Sequence, residues 1–251
     1  MIYVNKIQIS PTIFPDVTSQ VWHLPEFLFK AGKCEVEWKF ESEAEFMHLA
    51  QLKALLDRYF SVITLTLPYL PYGRQDKRVG NDSTFALLVF AKLLNALKFN
   101  AVFCVDPHSV VVSEINKVHP VYPVDAIRRA MREIEPTMIC FPDHGALVKY
   151  VDLQDVVFND LPFIYGDKVR DQQTGKITDY MLCGDPTGQS ILVVDDICDG
   201  GATFTALAVE LKKYKAKEIN LFVSHGIFSR GTQVLRDAGI SRIFTKEGEV
   251  K

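Results

Sequence analysis

From Ile2 to Ile9 apolar and polar residues alternate with the period of a half-buried strand; Pro11 to Asp16 reads as a turn, and Val21 to Phe29 as a second β-like run. Phe46, Leu49, Leu52, Leu55, Leu56 and Tyr59 then recur at helical spacing between Glu43 and Tyr59, before a buried strand, Val62 to Leu67, that breaks at Pro68 and Pro71. Asp82 or Ser83 is placed to cap a helix carrying Phe85, Leu88, Val89, Leu93 and Leu97, which leads to a strand at Ala101 to Val105. The pattern restarts with a helix at Ala126 to Ile134, a strand at Met138 to Phe141, a turn at Pro142 to Gly145 and a strand at Phe163 to Tyr165. Gly166 to Gly188 is polar and irregular, the character of a functional lid or hairpin. Ile191 to Val194 reads as a strand buried on both faces, followed by a helix with Leu207, Val209 and Leu211, a strand at Glu218 to Ser224, a short helix at Gln233 to Ala238 and a last strand at Ile240 to Thr245. Strands alternating with helices predict an α/β protein of mostly parallel sheets, with ligands at the carboxyl ends of strands. The restart places a domain boundary near Pro123, giving domains 1–124 and 125–251.

Composition narrows the field. A formal net charge of −3 supplies no basic field for nucleic acid. The five cysteines are scattered and form no CxxC pair, which argues against a disulfide framework or a zinc site and places the chain in a reducing cytoplasm. No apolar run reaches the roughly 18 residues of a spanning helix, and Met1 to Lys6 lacks the shape of a signal peptide, so a soluble protein with no membrane partner is expected.

The chemistry concentrates between Ile191 and Phe204. Two adjacent charges, Asp195 and Asp196, end the apolar strand, and a buried strand continuing through both would be costly, so they are expected at its tip. Asp199, Gly200, Gly201, Ala202 and Thr203 follow with small residues and a hydroxyl at a helix start, where backbone N–H groups lie open to an anion. Paired carboxylates suit vicinal sugar hydroxyls or their metal, and the loop suits a phosphate; a tight strand-to-helix turn with acidic caps is the plainer alternative. The stretch resembles the phosphoribosyl-diphosphate loop shared by type I phosphoribosyltransferases and ribose-phosphate pyrophosphokinases.

Other motifs separate those two families. Arg74, Gln75, Asp76, Lys77 and Arg78, after Leu67-Pro-Tyr-Leu-Pro-Tyr-Gly73, resemble the Arg-Gln-Asp motif and its approach in the pyrophosphokinases, and arginine suits a nucleotide triphosphate through bidentate and stacking contacts. Val105-Asp106-Pro107-His108 resembles that family's Asp-Leu-His, and Phe141-Pro142-Asp143-His144-Gly145 its Ser-Pro-Asp-x-Gly-Gly. Asp167-Lys168-Val169-Arg170 resembles the Asp-Lys-Arg-Arg that opens its mobile catalytic loop, and Ser224 to Ser229 its Thr-His-Gly-x-Phe-Ser. The resemblance runs from about Phe14 to Thr245. It implies two similar phosphoribosyltransferase-like domains, the first binding ATP and the second a sugar phosphate, with ATP near the interdomain cleft and a homo-oligomeric assembly. It also implies magnesium arriving with ATP and held by His108 and Asp143, catalytic roles for Lys168 and Arg170, ATP contacts from Arg74, Gln75, Asp76 and His108, and sugar-phosphate contacts from Asp195, Asp196 and the Asp199–Thr203 loop. Phe14-Pro15-Asp16 partly resembles the loop that reaches a neighbouring subunit's adenine, which makes Phe14 and Asp16 adenine candidates.

The departures matter as much. Asn81-Asp82-Ser83-Thr84 replaces the family's Ser-Arg-x-Pro, and Gly200-Gly201-Ala202-Thr203 replaces Thr-Ala-Gly-Thr, which removes a hydroxyl and opens space. Two acceptors follow from the resemblance: ribose 5-phosphate, or ADP-ribose as in a short phage-type branch that rebuilds NAD, in which case the home is the host cytoplasm. A catalytically silent regulatory homologue is the remaining reading.

Overall fold

Asn5 and Lys6 both take left-handed backbone (φ 49° and 70°), so the first alternating run folds on itself as a hairpin, β1 (Ile2–Val4) and β2 (Ile7–Ile9), instead of one strand. A separate two-stranded ribbon follows, β3 (Thr12–Ile13) and β4 (Ser19–Gln20). The structure, a computed structural model, describes residues 1–26, 32–170 and 177–251, and the side chains of all these except 154, 168–170 and 177–179. The strand expected at Val21 to Phe29 is absent over its described part: Val21 is buried and its N–H donates to Gln51 Oε1 (2.9 Å), a side-chain partner where a strand would use backbone. Residues 27–29 of that run lie outside the described residues.

The chain forms two compact units, Met1–Tyr122 and Pro123–Lys251. In the first, β5 (Cys34–Trp38), α1 (Ala44–Leu56), β6 (Ile63–Leu67), α2 (Ala86–Ala96), β7 (Ala101–Val105) and β8 (Val118–Val121) follow the hairpins. The sheet order is β2-β1-β5-β6-β7-β8, with β5 to β8 parallel. β5 and β8 were not expected from the pattern. β5 buries Cys34, Val36 and Trp38 on one face and turns Glu35 and Glu37 to the other, while β8 carries Pro120 at the sheet edge, where a missing N–H does least harm. The helix cap at Asp82 or Ser83 is not used: α2 starts after Phe85 without a side-chain cap, and Ser83 Oγ accepts from the Val79 N–H instead. Trp38, Leu49, Leu52, Leu56, Ile63 and Leu65 are fully buried in this unit's core.

The second unit runs α3 (Val124–Ile134), β9 (Met138–Phe141), α4 (His144–Tyr150), α5 (Gln154–Val157), β10 (Phe163–Arg170), β11 (Ile177–Cys183), β12 (Ser190–Cys198), α6 (Ala202–Lys213), β13 (Glu218–Gly226), α7 (Gln233–Ala238), β14 (Ile243–Thr245) and β15 (Gly248–Val250). Its sheet order is β11-β10-β9-β12-β13-β14-β15, parallel from β10 to β14 with an antiparallel hairpin at each edge. The polar stretch after Tyr165 is largely the β10–β11 hairpin. The turn expected at Pro142 to Gly145 is the start of α4, with Asp143 as its cap: Asp143 Oδ1 accepts from the Ala146 N–H at 2.9 Å. No helix among the described residues is long and apolar enough to cross a membrane.

None of the five cysteines is in a disulfide, and only Cys183 is exposed. Burial pushes the Cys34 thiol up to about 11 and the Cys104 thiol up to about 12, so neither forms a thiolate at neutral pH. Titration of the folded protein with a thiol-reactive chromophore is therefore expected to modify one cysteine quickly and the other four only after unfolding. Fast modification of a second thiol would contradict this packing.

Candidate active site

β12 lies between β9 and β13 and is buried on both faces from Ser190 to Val194, as its continuous apolar run requires. Its pairing with β9 ends at Val193, whereas its pairing with β13 continues to Cys198 opposite Gly226. The strand therefore does not stop at the acids, as expected from the sequence, but runs through them. It can do so because β9 has already turned into α4 and left one flank of β12 open.

Successive residues of a strand point to opposite faces, and this separates the two carboxylates. Asp196 is 3% exposed and its Oδ2 sits 2.8 Å from Lys149 Nζ of α4. Asp195 is half-buried, and its Oδ1 accepts the Asp196 N–H at 2.8 Å. The pair is thus a carboxylate at the open notch beside a buried one held by an ammonium. Lys149 is a residue the sequence reading missed, because nothing in its own neighbourhood marks it; only the approach of α4 to β12 does.

Tyr180 of β11 is a second such residue. Its hydroxyl donates to the Pro142 carbonyl, immediately before Asp143. Its phenol is pushed well above the usual tyrosine range, by burial first and then by Cys140, Asp143, Asp195 and Asp167. Its ring occupies the space over Gly166, where any β-carbon would collide with it, and this explains the glycine in β10.

After Cys198 the chain makes the loop of Asp199, Gly200 and Gly201 and enters α6. Gly201 caps that helix with φ 79°, and the first intrahelical bond runs from the Thr205 N–H to the Gly201 carbonyl, so the amides of Ala202 to Phe204 have no partner one turn earlier. The Ile227 N–H donates to the Cys198 carbonyl at 2.8 Å and ties this loop to the segment after β13. The two glycines differ. A β-carbon on Gly201 would meet Leu235 Cδ2 at 2.9 Å on top of its positive φ, whereas one on Gly200 would meet only Arg230 and Ser229 atoms at 3.7–3.9 Å. Gly201→Ala is expected to destabilise the protein by about 1–3 kcal/mol and Gly200→Ala by less than about 0.5 kcal/mol, measured by urea unfolding. Equal costs would contradict the loop geometry.

Lys168 and Arg170 belong to β10, whose backbone pairs Lys168 with Tyr180 of β11. In the first unit, the Arg74–Asp76 loop follows β6 and His108 follows β7, so both stand at the carboxyl edge of one parallel pair. The loop is pinned by its backbone: the Gln75 N–H donates to the Tyr72 carbonyl at 2.8 Å, and the Leu87 N–H to the Gln75 carbonyl at 3.2 Å. Arg74 and His108 are exposed. Phe14 and Asp16 stand apart on the β3–β4 ribbon. Phe14 packs edge-on against Trp22, and Asp16 Oδ1 accepts from the Thr18 hydroxyl (2.7 Å) and N–H (3.1 Å), bonds that hold its carboxyl below the usual range.

Among the described residues no group of three or more His, Cys, Asp or Glu gathers as for a metal cage. His108 belongs to the first unit and Asp143 to the second. Of the two, the Asp143 carboxylate is the oxygen donor that suits a hard cation completing its shell with water and phosphate oxygens, while an imidazole is a borderline donor.

The phosphoribosyl transferase domain model matches residues 125–251, the unit that holds β12 and the α6 loop. The chain belongs to this family. It is 31% identical over 182 residues to the ribose-phosphate pyrophosphokinase of Mycoplasmopsis pulmonis, covering 71% of this chain and 56% of that protein. It is 30% identical over 191 residues to ribose-phosphate pyrophosphokinase 4 of Saccharomyces cerevisiae, covering 72% and 56%. The chain thus spans little more than half the length of these relatives. The phosphoribosylpyrophosphate synthetase of Mycobacterium smegmatis shares its fold, with a TM-score of 0.71 at 19% identity over 95% of this chain and 79% of the other. The resemblance carried by the motifs is borne out by these relatives, and the α/β fold of mostly parallel sheets by the structure.

Proposed function

We propose that this chain is a magnesium-dependent pyrophosphokinase that transfers the β,γ-diphosphoryl group of ATP to the anomeric hydroxyl of a ribose 5-phosphate-type acceptor. The observation that carries the reading is the β12–α6 site: a half-buried carboxylate at an open notch, followed by a glycine loop and the bare amides of a helix start. Such a site accepts hydroxyl donors beside a phosphate. In the reaction, the C1 oxygen bonds to the β-phosphorus, the bond from that phosphorus to the α,β-bridging oxygen breaks, AMP leaves, and the hydroxyl proton passes to solvent.

Asp195 and Asp199 hold the sugar hydroxyls, Gly200 to Thr203 hold the 5-phosphate, and Asp196 fixes the strand tip through Lys149. Arg74, Gln75 and Asp76 hold the nucleotide. Lys168 and Arg170 offset the charge that builds on the transferring group and leaving nucleotide. Magnesium, when bound to ATP and held by His108 and Asp143, would supply further charge neutralisation on the phosphates. The names of the relatives support ribose 5-phosphate as acceptor. One feature favours ADP-ribose: the space at Gly200 has Arg230 at its border, which suits a 5-phosphate that continues into a second one. The protein is proposed to act as a homo-oligomer in the cytoplasm.

AMP release from MgATP that requires a sugar phosphate tests the proposal. No AMP with either acceptor, from folded protein, would favour the silent homologue, and pyrophosphate release from phosphoribosyl diphosphate with a base would favour a transferase. Asp199→Asn is expected to raise the KM for the acceptor about tenfold or more and leave the KM for ATP within about twofold, as for loss of a hydrogen bond to a charged group. The reverse pattern would assign the loop to the wrong ligand.

A further inference from the structure

Between α1 and α2 the first unit contains a cavity of about 340 Å³ that the proposed reaction does not use. Its walls are aromatic. The rings of Trp38, Phe46 and Phe90 stand at centroid distances of 6.0–6.2 Å with interplanar angles of 42–66°, and the Tyr72 ring lies 5.3 Å from that of Phe90. Trp38 and Phe90 are buried by these contacts, so the partly exposed Phe46 and Tyr72 carry the accessible ring surface, and what covers it best is another ring in an offset or edge-on contact. An apolar cleft of this size that opens to water is the kind of surface a ligand covers.

The mouth narrows the chemistry further. Glu43 Oε1 accepts the Tyr72 hydroxyl at 2.7 Å, and burial together with this carboxylate raises the Tyr72 phenol, which stays protonated. A carboxylate only accepts, and one hydroxyl does not exhaust it, so it selects an N–H and repels phosphate. Val89 and Leu93 of α2 border the opening and are each 52% exposed, apolar surface that an occupant would cover. Tyr72 itself is held at φ 62°, an uncommon conformation for a residue with a large side chain and one that recurs at ligand sites.

We propose that this cavity is a binding site for a flat, uncharged heteroaromatic ring that carries an N–H donor and no phosphate. The ring lies against the accessible parts of Phe46 and Tyr72 and against Val89 and Leu93, with Trp38 and Phe90 beneath them, and its N–H bonds to Glu43. Because the Tyr72 carbonyl receives the Gln75 N–H, the occupant sits one residue from the Gly73–Asp76 loop.

The chain has two tryptophans, so Trp22→Phe leaves Trp38 as a reporter in the cavity wall. Titrating that variant with benzimidazole is expected to change Trp38 emission saturably. The effect should be about tenfold weaker with 1-methylbenzimidazole and with Glu43→Met, because each removes one side of the N–H bond. Leu93→Glu, at an exposed position, is expected to abolish it. A folded Trp22→Phe protein showing no saturable change, or equal affinity for the methylated compound, overturns the proposal. So does emission that follows protein concentration and ignores benzimidazole, which would give the cavity to a second copy of the chain. None of these readouts depends on catalysis, so the proposal stands or falls separately from the pyrophosphokinase reading.

Discussion

Replacing Lys168 with alanine is expected to lower turnover by about two to three orders of magnitude, the loss seen when a donor that serves only the transition state is removed. Diphosphoryl transfer asks little covalent chemistry of the protein, so positioned cations are the main lever available. The motif around Lys168 has Val169 where the resembling pyrophosphokinase motif has an arginine, so in the proposed reaction the demand falls on Lys168 and Arg170. The KM values should change much less than kcat, and the urea midpoint should stay within error of wild type. Near-normal kcat from the variant would remove Lys168 from the mechanism.

Lys149→Met should destabilise the protein by about 3–5 kcal/mol, because it takes away the ammonium 2.8 Å from a carboxylate that stays buried and charged. The two side chains are 14% and 4% exposed and 2.8 Å apart, so neither has much water to fall back on. Adding Asp196→Asn to Lys149→Met removes the buried charge itself, and the double variant should lie closer to wild type than the single one. Urea unfolding of the three proteins is the measurement. A loss under about 1 kcal/mol in Lys149→Met would mean that the pair behaves as a solvated surface bridge, and the reading of Asp196 as a structural carboxylate would fail.

The legible parts of the fold were those whose pattern has one physical solution. Ile191 to Val194 and Met138 to Phe141 are short continuous apolar runs between polar turns, and in an α/β chain they can only be inner parallel strands. The reversal at Asn5-Lys6 has a trace that the alternation alone passes over, since two adjacent polar residues shift the apolar phase there from Ile2 and Val4 to Ile7 and Ile9; the β14–β15 hairpin was not legible because Gly248 to Val250 is too short to show a period. The site divides in the same way. The glycine loop and its helix start were readable because small residues there have a local cause. The roles of Asp196, Lys149 and Tyr180 depend on where β9 ends and α4 begins, a tertiary fact with no local trace. The pairing of Asp195 with Asp196 misleads for a further reason: neighbours in sequence are on opposite faces whenever the strand continues through them.

The most direct test of the central claim is mass spectrometry of the products formed when the protein is given MgATP with ribose 5-phosphate and ADP-ribose in competition. The account predicts AMP in equal amount to an acceptor heavier by a diphosphoryl group; ribose 5-phosphate so modified follows the relatives, and ADP-ribose so modified makes the space at Gly200 beside Arg230 the determinant. ADP together with an acceptor heavier by a single phosphoryl group, or unchanged acceptors from folded protein, would contradict it.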